Sequence, residues 1–256
     1  MRPLLKRAVL DTLRNVGYNV VPNWRLEKFP QSNFLRKLFS LLEIDCVFDV
    51  GANNGQYGRF LRQEVGYEGL IVSFEPVPSC LETLLEAARA DEKWLVEPYA
   101  LGRQAGRAKF NVMAGTQFSS FLSPDHSHVD MFSVKNRVVE EIDVEVKILD
   151  QVFPRISALT RGSAFYLKLD TQGFDLEVAM GASSELKGFR ALQTEASITP
   201  IYKGMPTFIE SIDAFRRMGF EVSGIFPNNP SHFPRLLEFD CHMINRSFLP
   251  RTAQRA

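Results

Sequence analysis

Val47-Phe48-Asp49-Val50-Gly51-Ala52-Asn53-Asn54-Gly55 reads as a short buried strand, a glycine turn and the start of a helix. Val47, Phe48 and Val50 give the near-continuous apolar run of a parallel strand covered on both faces. Gly51 stops that strand, and Gly55 opens the next helix. Glycine permits a tight turn and lets a ligand approach the backbone. Ligands of open parallel sheets bind beyond the carboxyl ends of the strands. Gly51 and Gly55 therefore sit where a nucleotide-like cofactor belongs.

Outward from this turn the pattern alternates. Strands are expected at Cys46–Val50, Leu70–Phe74, Trp94–Ala100, Phe165–Leu169, Leu192–Ala196 and Glu221–Phe226. Helices are expected at Gln56–Gln63, Ser79–Ala90, Asp175–Met180 and Phe208–Met218. Such alternation predicts an α/β fold, a mostly parallel sheet with helices on both faces. A last strand, Leu236–Asn245, is placed antiparallel at the end reached by the Glu221 strand. Phe110–Met113 and Ile142–Ile148 read as extra strands flanking a long insertion, Ala114 to Glu140, with Ser119, Ser120, His126 and His128. A segment of this length is either a lid over a site or surface decoration.

The chain has 256 residues, 45% of them hydrophobic and 23% charged, which suits one globular domain with a terminal extension. The expected division is a helical extension over 1–44 and the main domain over 45–250. Cys46, Cys80 and Cys241 are scattered and form no CxxC pair, so buried reduced thiols of a cytoplasmic protein are expected, with no metal. Thirty basic residues balance thirty acidic ones, which argues against a nucleic-acid partner. Asp11, Arg14 and Asn15 interrupt what would be the apolar core of a signal peptide, and none is expected. Leu5, Val9, Leu13 and Val16 lie near helical spacing, and Arg2, Lys6, Arg7, Arg14, Arg25, Lys28, Arg36 and Lys37 surround them. The favoured reading is a helix packed on the domain with a solvated basic face. Weak contact with an anionic membrane surface is the alternative.

The turn also discriminates between cofactors. A dinucleotide fingerprint is G-x-G-x-x-G with pyrophosphate on the helix N-terminus. Here Asn53 replaces the second glycine, and Asp49 brings a carboxylate toward the turn. That charge is awkward beside pyrophosphate. It suits a ligand carrying an ammonium and a sulfonium, as S-adenosyl-L-methionine does. Glu75 ends the second strand, where an acidic side chain accepts hydrogen bonds from both ribose hydroxyls. Pro76 stops that strand, and Ser79 is expected to cap the next helix.

With these residues in view, the chain resembles the FkbM-type methyltransferases from about Val47 to Asn245. The resemblance rests on Phe48-Asp49-Val50-Gly51-Ala52-Asn53-x-Gly55, on Phe74-Glu75-Pro76, and on Ala100-Leu101-Gly102. It rests also on Lys168-Leu169-Asp170-Thr171-Gln172-Gly173-Phe174-Asp175-Leu176-Glu177, ending in Gly181. It implies a class I, Rossmann-like methyltransferase fold with a seven-stranded sheet. It implies S-adenosyl-L-methionine held by Asp49, Gly51, Ala52, Asn53, Gly55, Glu75, Pro76 and Ala100. It further implies transfer to a hydroxyl of a sugar, polysaccharide or polyketide. Two departures stand out: Glu97-Pro98-Tyr99 lacks the usual Asn, and Gln172 stands where the motif often has Glu.

Methyl transfer to an alcohol needs in-line positioning and a sink for the proton. Asp170 and Glu195 end central strands and are the expected catalytic residues. Lys168, two residues before Asp170 on the same strand face, is expected to form an ion pair. Asp175 is read as stabilising its helix N-terminus. His126 and His128 are further base candidates. Tyr202, Phe226, Asn228 and Asn229 would suit a sugar platform or ordinary turns. The partner expected is a hydroxylated small-molecule or glycan acceptor. Competing readings are an NAD-dependent oxidoreductase of Rossmann-like fold and a non-catalytic cofactor-binding protein.

Overall fold

The computed structural model describes residues 12, 16–18, 20–127, 131–160, 162, 164–228 and 232–249. Leu5, Val9 and Leu13 of the expected N-terminal stripe, and His128 and Asn229, lie outside them.

The chain order is α1 (Phe29–Leu41), β1 (Cys46–Val50), α2 (Gln56–Phe60, continued by a π turn over Leu61–Val65), β2 (Leu70–Phe74) and α3 (Pro78–Ala88). There follow β3 (Trp94–Glu97), β4 (Ala100–Leu101), β5 (Gly106–Met113), β6 (Val138–Lys147) and α4 (Leu149–Ser157). Then come β7 (Phe165–Leu169), α5 (Asp175–Met180), β8 (Phe189–Ser197), α6 (Phe208–Arg217), β9 (Phe220–Pro227) and β10 (Glu238–Asn245). Seven strands form one sheet in the order β3-β2-β1-β7-β8-β10-β9. All its pairings are parallel except those of β10, which is antiparallel to β8 and β9. This is the mostly parallel seven-stranded α/β sheet that the resemblance implies, with β4, β6 and β5 in a separate small sheet.

Several boundaries differ from expectation for local reasons. The single strand expected over Trp94–Ala100 is two, because Pro98 has no N–H to donate to a ladder. Helix α4 is additional to the expected helices, although Leu149, Val152, Phe153 and Ile156 follow helical spacing and are all buried. Ser79 does not cap α3; Pro78 opens that helix, and the N-cap is Val77 without a side-chain bond. Helix α6 does carry a capping box, in which the Thr207 side chain and the N3 residue Glu210 satisfy each other's backbone amides.

Register explains how the sheet builds its site. One face carries Phe48, Val72, Leu167, Leu192 and Met243, packed under α4, α5 and α6. The other face is layered. Val47, Ile71, Tyr166, Ala191 and Ile244 form its apolar base with Leu35, Leu38 and Phe39 of α1. Two residues along each strand lies a buried polar row, Ser73, Asp49, Lys168, Gln193 and His242, in direct register. Two residues further, on the same face, stand Glu75, Gly51, Asp170, Glu195 and Asp240. The face thus passes from oil to ion pairs to an open rim.

The polar row is bonded throughout. Trp94 Nε1 donates to Ser73 Oγ at 3.0 Å, and Ser73 Oγ donates to Asp49 Oδ2 at 3.0 Å. Lys168 Nζ lies 3.0 Å from Asp49 Oδ1, and Tyr57 OH donates to Gln193 Oε1 at 2.8 Å. The Tyr166 hydroxyl and His242 Nδ1 are 2.7 Å apart. Burial holds the His242 pKa down to about 3, so the folded state keeps a neutral ring. Unfolded, the ring titrates near about 6.5. The stability it contributes is therefore complete above that value and is lost as pH falls toward the folded pKa. The stability difference between wild type and His242→Gln is expected to shrink below about pH 6.5 by up to ~1.4 kcal/mol per unit. Urea unfolding of both proteins at neutral and acidic pH checks this; a difference independent of pH would contradict a neutral buried ring.

Candidate active site

A cavity of about 650 Å3 opens above the rim. That volume lies in the range typical of small-molecule sites. Its inner half is made by the β1 turn, the ends of β2 and β7, and the insertion. Gly51 has φ +75°, and a Cβ built on it would lie 2.0 Å from the Asp170 carbonyl oxygen. Only glycine lets β1 turn this close to the end of β7. Ala52 lines the cavity and donates its amide to Phe74 O at 3.1 Å. Gly55 sits behind the lining as the left-handed N-cap of α2. Pro76 and Ala100 also line the wall, with Leu101, Phe110 and Phe121 as an apolar slot.

Glu75 is buried on this wall. Its Oε2 accepts from Asn53 N at 2.7 Å and its Oε1 from Val77 N at 2.9 Å. Each oxygen keeps a lone pair for a further donor. Burial pushes its pKa up to about 7, against the lowering effect of those two amides. A ribose diol fits that carboxylate, and the apolar slot suits an adenine ring. The residues present therefore fit S-adenosyl-L-methionine.

Asp49, an expected cofactor residue, is placed differently. The Asp49 carboxylate does not face the cavity; it is fully buried beneath it, against Ser73 and Lys168. Alternation along β1 puts it on the polar row, one layer below Gly51. Asn53 lines the cavity as expected, and its Oδ1 accepts from Asn54 N at 2.8 Å and from Thr116 Oγ1 of the insertion at 3.3 Å. Its backbone amide also serves Glu75.

Asp170 lines the cavity as expected, with Lys168 Nζ 3.4 Å from its Oδ2. Glu195 does not. Its Oε2 accepts from Gln172 Nε2 at 2.5 Å and its Oε1 from Asn228 Nδ2 at 2.7 Å. Burial and the neighbouring Asp170 raise its pKa well above the usual carboxylate range. Glu195 is thus a brace rather than a cavity residue. Gln172, with φ +53°, also donates to Asp170 Oδ1 at 3.1 Å, and its Oε1 lies 2.9 Å from the Tyr202 hydroxyl oxygen. A Glu at position 172 would set a third carboxylate between Asp170 and Glu195; the amide joins them.

Asp175 is a tie, not a free helix-end charge. Its Oδ1 accepts from Thr171 N at 2.9 Å and Thr171 Oγ1 at 2.6 Å. Its Oδ2 accepts from Thr194 Oγ1 at 2.6 Å. Among the described residues, no group of three or more His, Cys, Asp or Glu side chains is arranged to hold a metal ion.

The insertion covers the cavity. Thr116, Gln117, Ser119 and Phe121 line it, while Ser120 Oγ donates to Gln172 O at 2.9 Å. Tyr202 is fully buried and donates to Phe118 O at 2.7 Å, so it anchors this lid and offers no sugar platform. His126 contacts the Asn136 carbonyl at 3.1 Å and lies outside the lining.

The outer half of the cavity holds residues beyond those expected at the site. Lys28, Pro30 and Gln31 enter from α1 and the turn before it; Tyr57 and Phe60 come from α2; Gln193 and Asp240 come from β8 and β10. Phe226 and Asn228, expected in a sugar platform or in ordinary turns, complete it. Two basic residues of the N-terminal region hold the domain: Arg25 pairs with Glu64, and Arg36 donates to Glu64 O and Val65 O at 2.7 and 3.1 Å. Among the described residues no helix is long and apolar enough to cross a membrane.

Residues 49–222 match the methyltransferase FkbM domain. No curated protein matches the chain. Among solved structures, a methyltransferase FkbM from Methylobacillus flagellatus KT is 14% identical, with TM-score 0.48, over 78% of this chain and 43% of that one. The chain thus spans less than half the length of that relative. The magnesium protoporphyrin IX methyltransferase of Synechocystis PCC 6803, solved with S-adenosylmethionine bound, is 10% identical, with TM-score 0.46, over 94% and 96% of the two chains. Aeropyrum pernix fibrillarin, with natively bound S-adenosyl-L-methionine, is 11% identical, with TM-score 0.44, over 84% and 73%. With its motifs in matching order on this sheet, the chain belongs to the FkbM family of methyltransferases, whose cofactor is S-adenosyl-L-methionine.

Proposed function

We propose that the chain methylates a hydroxyl oxygen of a saccharide or a similarly hydroxylated intermediate. The observation that carries this reading is the outer half of the cavity. There the side chains of Gln31, Gln193, Asn228 and Asp240 stand among the rings of Tyr57, Phe60 and Phe226. Amides and a carboxylate recognise hydroxyls in both donor and acceptor senses, and rings cover the apolar faces of a sugar.

The bound cofactor supplies an electrophilic methyl group on sulfur. The chain's residues do the rest. Glu75 orients the ribose, and Asn53 N and Val77 N fix Glu75. Asp170 places a fixed charge at the junction of the two halves, steadied by Lys168 and Gln172. Thr116, Gln117, Ser119 and Phe121 of the insertion line the cavity beside this junction. Holding the partners in line is worth up to about 7–11 kcal/mol of the barrier.

Calorimetry with S-adenosyl-L-methionine, S-adenosyl-L-homocysteine and NAD tests the cofactor half, and heat from the first two alone is expected. Glu75→Ala removes the ribose acceptor and lets the Asn53 loop relax. Affinity for S-adenosyl-L-homocysteine is expected to fall about 10- to 100-fold, the worth of hydrogen bonds to a charged group. Unchanged affinity removes Glu75 from the site. Mass spectrometry of host glycans with and without the protein tests the acceptor class; a gain of 14 mass units (about one CH2 per transfer) on a hydroxylated product is expected.

A further inference from the structure

The matched domain spans residues 49–222, and every lining residue of the inner half falls within it. Much of the outer half does not. Lys28, Pro30 and Gln31 precede the span, and Phe226, Asn228 and Asp240 follow it. The acceptor half is therefore built largely from residues outside the matched span. Within it Asp240 is a carboxylate whose hydrogen bonds come from amides. Gln31 Nε2 donates to its Oδ2 at 2.6 Å. Asp170, by contrast, faces the Lys168 ammonium, and both oxygens of Glu195 are already bound.

We propose that Asp240 is the base that takes the proton of the acceptor hydroxyl, and that Gln31 positions it. This rests on the hydroxyl-methylation reading above. In the transfer the acceptor O–H bond breaks and its proton passes to the Asp240 carboxylate. The oxygen lone pair forms the new C–O bond, and the C–S bond breaks with its electron pair remaining on sulfur. The atoms balance as a methyl ether, a thioether and a protonated Asp240.

The surroundings suit the role. Asp240 stands opposite Glu195 of β8 and two residues from Glu238 and His242 on its own strand. Asp170 and Lys168 face it from β7, Gln193 from β8, and Gln31 from α1. Burial first, and then the Asp170 charge, push its pKa up to about 6. A base with a pKa near working pH is efficient and still unprotonated at neutrality.

The test uses methyl-tritiated S-adenosyl-L-methionine and an extract of host cells that lack the protein. Wild type is expected to transfer label, and Asp240→Asn to transfer at least about 100-fold less. Asp240→Asn should keep its affinity for S-adenosyl-L-homocysteine, which also reports that the variant is folded. The wild-type rate should fall below about pH 6, and Asp240→Glu should regain part of the loss. Independently of turnover, infrared titration of the protein alone should show a carboxyl band with a midpoint near about 6 that Asp240→Asn abolishes. Gln31→Leu should move that midpoint upward, because the lost amide favoured the charged form. Label transfer by Asp240→Asn within tenfold of wild type overturns the proposal and leaves the methyltransferase reading standing. No heat with S-adenosyl-L-homocysteine, or no transfer by wild type, overturns that reading and the proposal with it.

Discussion

Lys168→Met is expected to destabilise the fold by about 3–5 kcal/mol, the cost of stranding a buried charge. Lys168 Nζ lies 3.0 Å from Asp49 Oδ1, 3.4 Å from Asp170 Oδ2 and 3.2 Å from the Gly51 carbonyl oxygen. Burial alone would drive the ammonium toward its neutral form. Asp49 and Asp170 outweigh it and hold the lysine pKa above the ordinary value. With Met at 168, Asp49 keeps only the Ser73 hydroxyl, at 3.0 Å, in a place with no access to water. The loss is therefore the desolvation of Asp49, not the worth of the pair. A double variant, Asp49→Asn with Lys168→Met, removes that stranded charge and is expected to recover at least half of the stability. Urea unfolding of wild type, both single variants and the double variant measures the coupling. If Lys168→Met alone costs less than about 1 kcal/mol, Asp49 is not dependent on Lys168.

This ion pair marks the border between what the sequence discloses and what it does not. The polar residues of the central strands come in pairs two apart: Ser73 and Glu75, Lys168 and Asp170, Gln193 and Glu195, Asp240 and His242. That spacing places both members on one face. It is legible for β7, where the Lys168 ion pair is expected and is present. It is equally present in β8 and β10, yet no motif singles out Gln193 or Asp240. Nothing local in a sequence tells which strand will stand beside β7. Strand order is set by long-range pairing, and β10 reaches the site only by inserting between β8 and β9. Layering is hidden for the same reason. Asp49 borders the glycine turn in sequence, but the pleat turns its carboxylate beneath the cavity, and only the partners Ser73 and Lys168 reveal that. The sheet itself and the cofactor turn are readable because β1, the turn and α2 are contiguous. Of the outer half only Phe226 and Asn228 are singled out, because α1, β9 and β10 come from opposite ends of the chain. Gln31 shows no motif at all; it matters because α1 packs through Leu35, Leu38 and Phe39 and brings its first turn to Asp240.

Gly51→Ala is expected to cost more than about 3 kcal/mol and to abolish cofactor binding, because two penalties meet there. The first is conformational. At φ +75° an L side chain is in the left-handed region, which costs about 1–2 kcal/mol. The second is steric and larger. The new Cβ would lie 2.0 Å from Asp170 O and 2.9 Å from Asp170 C. Those atoms belong to backbone at the end of a central strand, held by the Asp170 amide bond to Val50 O at 3.1 Å and by the β1–β7 ladder. They cannot yield as a flexible side chain does, so the turn or the ladder must open. Two other glycines separate the penalties. Gly66 has φ +74° with nothing within 4 Å of the place its methyl group would take, so Gly66→Ala carries the conformational cost alone. Gly55 has φ +79° and would meet Leu84 Cδ1 at 2.9 Å, the movable end of a side chain. Melting temperatures are therefore expected to fall in the order Gly66→Ala, Gly55→Ala, Gly51→Ala, the last by the widest margin. Only Gly51→Ala and Gly55→Ala should weaken S-adenosyl-L-homocysteine binding, since Gly66 lies at the far end of α2 beyond the π turn. A Gly51→Ala protein as stable as Gly66→Ala would mean that β1 does not turn against the Asp170 carbonyl, and the close approach that shapes the cofactor site would be lost with it.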